Sequence, residues 1–215
     1  MKAAAVIFAC ACILSCAGLP RIIPAGASEA GDLQRMARAP FLEGEWRVVH
    51  SIQGRLPGGS TADMIGVTVA SSRTGKLRST LMSIEGLVFL DAEYGSRLVI
   101  NRGIGPLGRP DLVTGMMRDI RLILFAPSGA AVETGALAGR GRACRYRSED
   151  GSVYVILNND GTIEIRSYDG SSKLLRTVRF LKRRSDGIPS RVYLESAGIV
   201  GYSLSLDLIE AEKIR

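Results

Sequence analysis

The sequence has few of the groups that most enzymes use for catalysis. Its 215 residues include one histidine and four cysteines, and three of those cysteines fall within the first sixteen positions. It contains no H-E-x-x-H, C-x-x-C or G-x-S-x-G motif and no G-x-x-x-x-G-K-[ST] loop. These absences exclude the usual signatures of zinc peptidases, thiol oxidoreductases, serine hydrolases and P-loop enzymes. We therefore expect a non-enzymatic protein without a catalytic residue, a cofactor or a metal ion.

The remaining candidates for chemistry each have a structural interpretation. His50 lies inside a predicted strand, where an ordinary strand histidine is favoured over a general base. Cys144, in "GRGRACRYR", is either a reactive thiol among arginines or, as we favour, a small buried strand residue. Two pairs of carboxylates have i, i+2 spacing and could share a strand face, but solvated strand edges also explain them: Glu43/Glu45 and Asp91/Glu93.

The first residues, "MKAAAVIFACACILSCAG", have the layout of an export signal. A single Lys2 precedes an uncharged run from Ala3 to Cys16, which is shorter than the ~20 apolar residues that a membrane-spanning helix needs. The segment Ile13-Leu14-Ser15-Cys16 resembles the bacterial lipobox. It predicts a lipoprotein signal peptide over residues 1–15 and a lipidated Cys16. The alternative is an ordinary cleaved signal peptide, for which "AGASEA" at residues 25–30 offers a cleavage site.

A lipidated Cys16 has consequences for the remaining thiol, for membrane anchoring and for the segment that follows. Cys144 would be the only thiol left, which excludes an intramolecular disulfide and a cysteine metal site. Acyl chains would hold the protein at a membrane. Because Ala17 and not Asp follows the cysteine, we expect anchoring in the outer membrane, facing the periplasm, if the source is Gram-negative. Residues 16–40 would form a lipidated N-terminus and tether, with a short helix near Asp32 to Arg38 that Asp32 could cap.

Composition and charge bound the class of the folded part, residues 41–215. A hydrophobic content of 46% with 25 glycines is typical of one globular domain with a sizeable core. The net charge of +7 points to anionic lipid headgroups more than to nucleic acid, and a basic solvated surface is the simpler alternative. Two basic clusters could be headgroup contacts or gatekeepers at strand ends: Arg140, Arg142, Arg145 and Arg147, and Lys182, Arg183 and Arg184.

Two-residue alternation predicts eleven strands in two sets. The first set has "WRVVHSIQ", "MIGVTVAS", "KLRSTLMS", "LVFLDAEY" and "GSRLVINR". The second set has "ACRYRS", "SVYVILN", "TIEIRSYD", "KLLRTVRFLKR", "IPSRVYLES" and "VGYSLSLDLIEAE", with turns such as Asn-Asp-Gly between them. In the last strand Tyr202, Leu204, Leu206 and Leu208 share one face.

Between the two sets, the spacing of apolar residues from Leu112 to Leu124 predicts a helix from about Pro110 to Asp119 or beyond. The segment "IRLILF" at its end could equally be a strand. The fold class is therefore α+β, mostly β: an antiparallel sheet of about 10–11 strands, strongly curved around one or more helices that cover its apolar face.

The order of these elements resembles a known family. The lipobox, "GEWRV", the hairpin "LRSTLMSIEGLVFLDAEYGSRLVINR", the helix "RPDLVTGMMRDIRLILF" and the late "GIPSRVYLESAGIVGYSLSLDLIEAE" are similar to the LolA/LolB superfamily, in particular to LolB-like outer-membrane lipoproteins. The resemblance implies an antiparallel half-barrel whose concave apolar face, under helices, forms a cavity for acyl chains. It places Met116, Met117 and Ile120 in a lid helix and Tyr202, Leu204 and Leu206 in the cavity wall. Simple core packing is an equally favoured alternative for Met116 and Met117.

The turn from Ser83 to Leu87 matches a loop that in LolB faces the membrane, which makes Ile84 and Leu87 candidate membrane-facing residues. Glu85 in this short turn departs from that pattern. The resemblance implies that the protein binds acyl chains of lipids or lipoproteins for transport or membrane insertion, with a periplasmic carrier protein as a further candidate partner. The alternative is a non-enzymatic scaffold lipoprotein with a filled core, which docks a partner in an envelope assembly.

Overall fold

The fold is one antiparallel sheet with two α-helices. A computed structural model describes residues 18–55, 59–139, 141–197 and 201–214. Its strands are β1 (Ile22–Pro24), β2 (Glu45–Arg55), β3 (Thr61–Ser71), β4 (Lys76–Met82), β5 (Val88–Tyr94), β6 (Leu98–Gly103), β7 (Glu133–Leu137), β8 (Gly141–Ser148), β9 (Gly151–Asn158), β10 (Ile163–Asp169), β11 (Leu174–Arg183), β12 (Pro189–Ser196) and β13 (Ser203–Lys213). The helices are α1 (Ala27–Arg38) and α2 (Pro110–Leu124). The mostly β class and the eleven predicted strands are confirmed.

The sheet is continuous but not closed. Its order is β1-β7-β8-β9-β10-β11-β12-β13-β2-β3-β4-β5-β6, and every neighbouring pair is antiparallel. The chain therefore builds one half of the sheet from β2 to β6 and the other half from β7 to β13. Pairing of β13 with β2, from Ser203↔Arg55 to Lys213↔Trp46, joins the halves at the centre.

Two strands were not predicted, and they are neighbours at one edge. β7 has only five residues and includes two small ones, Gly135 and Ala136, so its alternation is weak. β1 has three residues and pairs only with β7, from Ile22↔Leu137 to Pro24↔Gly135.

Residues 22–38, which the sequence analysis assigns to a tether, form β1 and α1. Helix α1 begins after Gly26, so Asp32 lies inside the helix and is not its N-cap; it forms an ion pair with Arg35. Its apolar face buries Leu33 and Ala37 in the main core. The helix contacts β7, β8 and β9.

Helix α2 connects one edge of the sheet to the other half. It begins at Pro110, as predicted, because proline suits the first turn of a helix. It continues to Leu124, so the segment 120–124 is helical and not a strand. Neither helix of the described residues has the length and apolarity needed to cross a membrane.

The sheet has an inner face, defined here as the face that carries the main hydrophobic core, and a polar outer face. On the outer face, cross-strand ion pairs join Arg47 to Glu210 and Arg78 to Asp91. A second, smaller cluster buries Tyr154, Ile156 and Tyr168 together with Ile22. These residues alternate with core residues along β9, so the N-terminal segment covers part of the outer face.

Turns of an antiparallel sheet alternate between two rims. The first rim carries the turns at residues 72–75, 95–97, 138–139, 159–162 and 184–188, and Gly18–Arg21 lie beside it because Ile22 pairs with Leu137. The second rim carries the turns at residues 83–87, 149–150 and 170–173.

Candidate functional site

Small side chains line the inner face where α2 contacts the sheet. Gly66 is closely packed, because a Cβ there would lie 2.7 Å from Ile52 Cδ1, which would have to shift. Ala70 and Ala92 are fully buried, and Thr68 and Ser79 share a buried hydrogen bond of 3.2 Å that satisfies both hydroxyls. Helix α2 contacts β4, β5 and β6 of this region. The small residues leave room for the helix to approach the strands closely.

The apolar side of α2 belongs to the same core as the sheet. Val113 and Met117 are fully buried, and Ile123 and Leu124 are nearly so. Burying each such side chain contributes about 1.5–3 kcal/mol. The helix is therefore held chiefly by apolar packing.

One polar cluster fastens α2 to the other half of the sheet. The buried carboxylate of Asp119 accepts a 2.8 Å hydrogen bond from Arg176 Nε on β11 and another from the hydroxyl of Tyr202. The Arg176 guanidinium also lies 5.5 Å from the centre of the Tyr202 ring. Burial raises the pKa of Asp119 and the pKa of Tyr202, while Arg176 favours the carboxylate.

A recess of about 460 Å³ runs along α2 beside this cluster, and we call it the α2 groove. Gly115 and Leu122 of α2, with Phe125 directly after the helix, form one side, and Val153 and Leu175 of the sheet form part of the other. Charged side chains line its polar part: Arg118, Asp119, Arg121, Asp150 and Arg176. Arg118 and Asp150 approach to 3.5 Å across it. The volume lies in the range of about 300–1,000 Å³ that is typical of small-ligand sites.

The six residues predicted to line a cavity all lie in the main core. Met117 and Leu206 are buried, and the other four are partly buried against the same cluster: Met116, Ile120, Tyr202 and Leu204. Leu206 pairs with Ile52 on β2 and Val192 on β12. None of the six lines the α2 groove. Their assignment to a ligand stays a prediction.

The two predicted membrane-facing residues are exposed in the turn between β4 and β5. Ile84 is 72% exposed and Leu87 is 51% exposed. The Ser83 hydroxyl accepts a hydrogen bond from the Leu87 amide, and a hydrogen bond to Ser83 lowers the pKa of Glu85. This turn belongs to the second rim. Cys16, the predicted lipidation site, lies outside the described residues.

The other candidates for chemistry are structural. His50 is buried beside Leu42, Ile123 and Leu208, and burial lowers its pKa to about 4, so the imidazole is neutral. Cys144 is buried in β8, which confirms the favoured interpretation, and burial raises its pKa. Asp91 and Glu93 share a face of β5, and both form ion pairs with Arg78 of the neighbouring strand β4. Among the described residues no group of three or more His, Cys, Asp or Glu side chains could hold a metal ion.

Sequence reasoning missed the cluster of Asp119, Arg176 and Tyr202. One signal could have indicated it: Asp119 stands on the buried side of an apolar helix, three residues from Met116 and four from Ile123. A buried carboxylate requires a partner. Which residue supplies that partner depends on the packing of β11 against α2.

The structure places the chain in a class of proteins that are built on an open antiparallel sheet. A connecting helix packs against the apolar inner face of that sheet. No protein-family model matches the sequence, and no curated protein matches it. Among solved structures, a LolA superfamily protein from Nitrosomonas europaea is similar with a TM-score of 0.52 and 14% identity, covering 86% of this chain and 93% of that one. The chain therefore has a LolA-like fold, which confirms the resemblance that the sequence indicates at the level of the fold. The particular similarity to LolB-like proteins stays a prediction.

Two further solved structures are similar at a TM-score of 0.47 and 11% identity. One is a DUF1329 family protein from Desulfovibrio piger, covering 87% of this chain and 92% of that one. The other is an outer membrane lipoprotein-sorting protein domain from Vibrio parahaemolyticus, covering 87% of this chain and 93% of that one. At this TM-score neither similarity adds to what the first establishes.

Proposed function

We propose that the protein binds an acyl chain of a lipid or lipoprotein between α2 and the inner face of the sheet. It acts as a non-enzymatic outer-membrane lipoprotein anchored through Cys16, for transport or membrane insertion of its cargo. In this proposal α2 covers the concave face, and the chain enters along the α2 groove.

The α2 groove is the observation that carries this proposal. Leu122, Phe125, Val153 and Leu175 give it apolar surface beside the main core. Removing apolar area from water contributes about 25 cal/mol per Å², so one acyl chain supplies several kcal/mol before ordering costs. The LolA-like fold agrees with this proposal.

Gly115 offers a test that leaves the core intact. A Cβ at this position would meet no atom within 4 Å, and Gly115 lines the groove. Gly115→Phe should therefore fill the groove and abolish capture of an acyl ligand. The matched control Gly115→Ala should keep capture and gain about 0.5–1 kcal/mol of stability, because glycine is unfavourable inside a helix.

The measurement is native mass spectrometry with lipid extraction, on residues 17–215 exported to a bacterial periplasm. This chain contains every described strand and helix. We expect one phospholipid, fatty acid or lipopeptide per protein for the parent chain and for Gly115→Ala, and none for Gly115→Phe. Equal capture by all three proteins would contradict binding along the groove.

The filled inner face favours a second function, that of a scaffold which docks a partner in an envelope assembly. Met117, Leu206 and Val113 are buried in one continuous cluster. If the parent chain has an apo mass and remains apo with added palmitate and phospholipid, the scaffold function replaces the first proposal.

A further inference from the structure

Basic side chains concentrate on the first rim of the sheet. Those that are exposed and have no carboxylate within 4.0 Å among the described residues include Arg21, Arg73, Lys76, Arg97, Arg142, Lys182 and Arg183. Arg184 at the same rim pairs with Asp186 at 3.2 Å. These residues come from five separate segments of the chain, which the topology brings to one end of the molecule.

The second rim has mixed charge. Its exposed basic residues include Arg55, Arg102, Arg147 and Lys173. Carboxylates stand among them: Asp63, Glu85, Glu149, Asp150, Asp169 and Glu195. The first rim has carboxylates as well, at Glu45, Glu93, Asp160, Asp186 and Glu212, but its basic residues outnumber them, which is not so at the second rim. An anionic surface would therefore be attracted mainly to the first rim.

A recess at the first rim has donors for a phosphate group. It measures about 460 Å³ and lies between the β3–β4 and β5–β6 turns. Lys76 and Arg97 line it together with the hydroxyl-bearing residues Thr74 and Ser96. Glu45 and Glu93 also line it, and Glu93 lies 3.9 Å from Arg78. Charge-assisted hydrogen bonds from lysine and arginine are the usual contacts of phosphate.

The N-terminal segment reaches the same rim. Ile22 pairs with Leu137 at the end of β7, and Gly18–Arg21 extend beyond that pair. The predicted lipidation site, Cys16, precedes Gly18 by two residues, which span at most about 7 Å. A lipid on Cys16 would therefore hold the first rim against the bilayer.

We propose that the first rim is a docking surface for an anionic phospholipid membrane. Its arginines and lysines contact headgroup phosphates, and the recess between the β3–β4 and β5–β6 turns accepts one headgroup. The second rim, with Ile84 and Leu87, then faces away from this membrane. The argument from Cys16 rests on the lipid anchor of the proposed function, whereas the charge of the rim does not. The inference does not depend on acyl-chain binding under α2.

Binding of residues 17–215 to vesicles tests the proposal without the lipid anchor. The vesicles contain phosphatidylcholine alone or with about one third phosphatidylglycerol, and cosedimentation is measured at low and moderate salt. The rim variant is Arg73→Gln, Arg97→Gln, Arg142→Gln and Lys182→Gln. The matched control at the second rim is Arg55→Gln, Arg102→Gln, Arg147→Gln and Lys173→Gln, which removes the same number and type of charges.

Each basic residue near an anionic surface raises partitioning about fivefold, so the rim variant should lose about a hundredfold or more. The control should lose less than about fivefold, and neither protein should bind phosphatidylcholine alone. Unchanged thermal midpoints verify that both variants are folded. Equal losses in the two variants would overturn the proposal, because net charge alone would then explain binding.

Two other results would also overturn the proposal. Loss of binding on Ile84→Asp with Leu87→Asp, but not in the rim variant, would assign membrane contact to the second rim. Absence of binding to every vesicle would leave an acidic protein as the partner of the basic rim. Acyl capture should be unchanged in the rim variant, so this test and the test of the proposed function fail independently.

Discussion

Two buried titratable side chains, Asp119 and His50, have opposite surroundings. Asp119 accepts hydrogen bonds from Arg176 and Tyr202, whereas His50 lies among the apolar residues Leu42, Ile123 and Leu208. Burial disfavours the charged form of both, so it raises the pKa of Asp119 and lowers the pKa of His50.

His50 should make the stability of the protein depend on pH. Its pKa is about 4 in the folded chain, below the ordinary value of 6.5. Between these values the unfolded chain binds a proton that the folded chain does not, so stability falls as the pH falls. The loss at pH 4 should approach about 3 kcal/mol, and it should be absent above pH 6.5.

Chemical denaturation at several pH values, compared with His50→Gln, measures this contribution. The variant cannot titrate at this position, so the difference between the two proteins isolates the histidine. Parallel stability curves from pH 7 to pH 4 would show that His50 is not the source of the dependence.

Removing one member of the Asp119–Arg176 pair should destabilise the protein, whereas replacing both members should change its stability little. Asp119→Leu leaves the half-buried Arg176 without its carboxylate, and we expect a loss of about 2–4 kcal/mol. The double variant Asp119→Leu with Arg176→Met should regain most of that loss, since two apolar side chains avoid the desolvation of both charges. A double-mutant cycle by urea denaturation gives the coupling free energy. Additive losses would mean that the pair does not interact.

At the scale of elements, the edge formed by β1 and β7 depends on one glycine. A Cβ on Gly135 would lie 1.9 Å from the carbonyl oxygen of Ile23 and 2.8 Å from the Ala25 amide nitrogen. The two backbones therefore approach each other more closely than any side chain permits.

Gly135→Ala should detach β1 while leaving the main sheet folded. We expect trypsin to cleave after Arg21 at least tenfold faster, because cleavage of a locally opened segment follows the population of the open form. Gly31→Ala is the control, as a Cβ at Gly31 meets no atom within 4 Å. Equal cleavage rates in both variants would show that the close contact does not hold β1.

The sequence predicted those elements whose periodicity is long and regular. Eleven strands and the start of α2 at Pro110 follow from such patterns. The sequence does not determine where α2 ends, because "IRLILF" suits a strand as well as a helix, and packing of Ile123 and Leu124 in the core decides it. β1 and β7 could not be predicted, since each is short and each depends on the other for hydrogen bonds.

At the scale of the whole molecule, the order of the strands determines which charged and apolar side chains lie together. Helix α2 connects the two halves of the sheet in sequence, and these halves pair with each other through β2 and β13. This arrangement places the helix against the inner face and brings basic residues from five segments of the chain to the first rim. The first predicted basic cluster is divided by it, because Arg142 lies at that rim while Arg147 lies near the second one, and Arg140 lies outside the described residues. The second cluster, Lys182 to Arg184, stays together at the first rim.

The sequence by itself determined the alternation of apolar and polar residues, and with it an antiparallel sheet that must bury one face. It also determined the scarcity of catalytic groups and the LolA/LolB resemblance. Only the tertiary structure decided that Asp119 meets Arg176 and Tyr202, that a groove opens beside Gly115, and that Ile84 and Arg97 lie at opposite rims. The physical reason is that periodicity is a local property of the chain, whereas these contacts join residues far apart in sequence, whose proximity depends on strand order and packing.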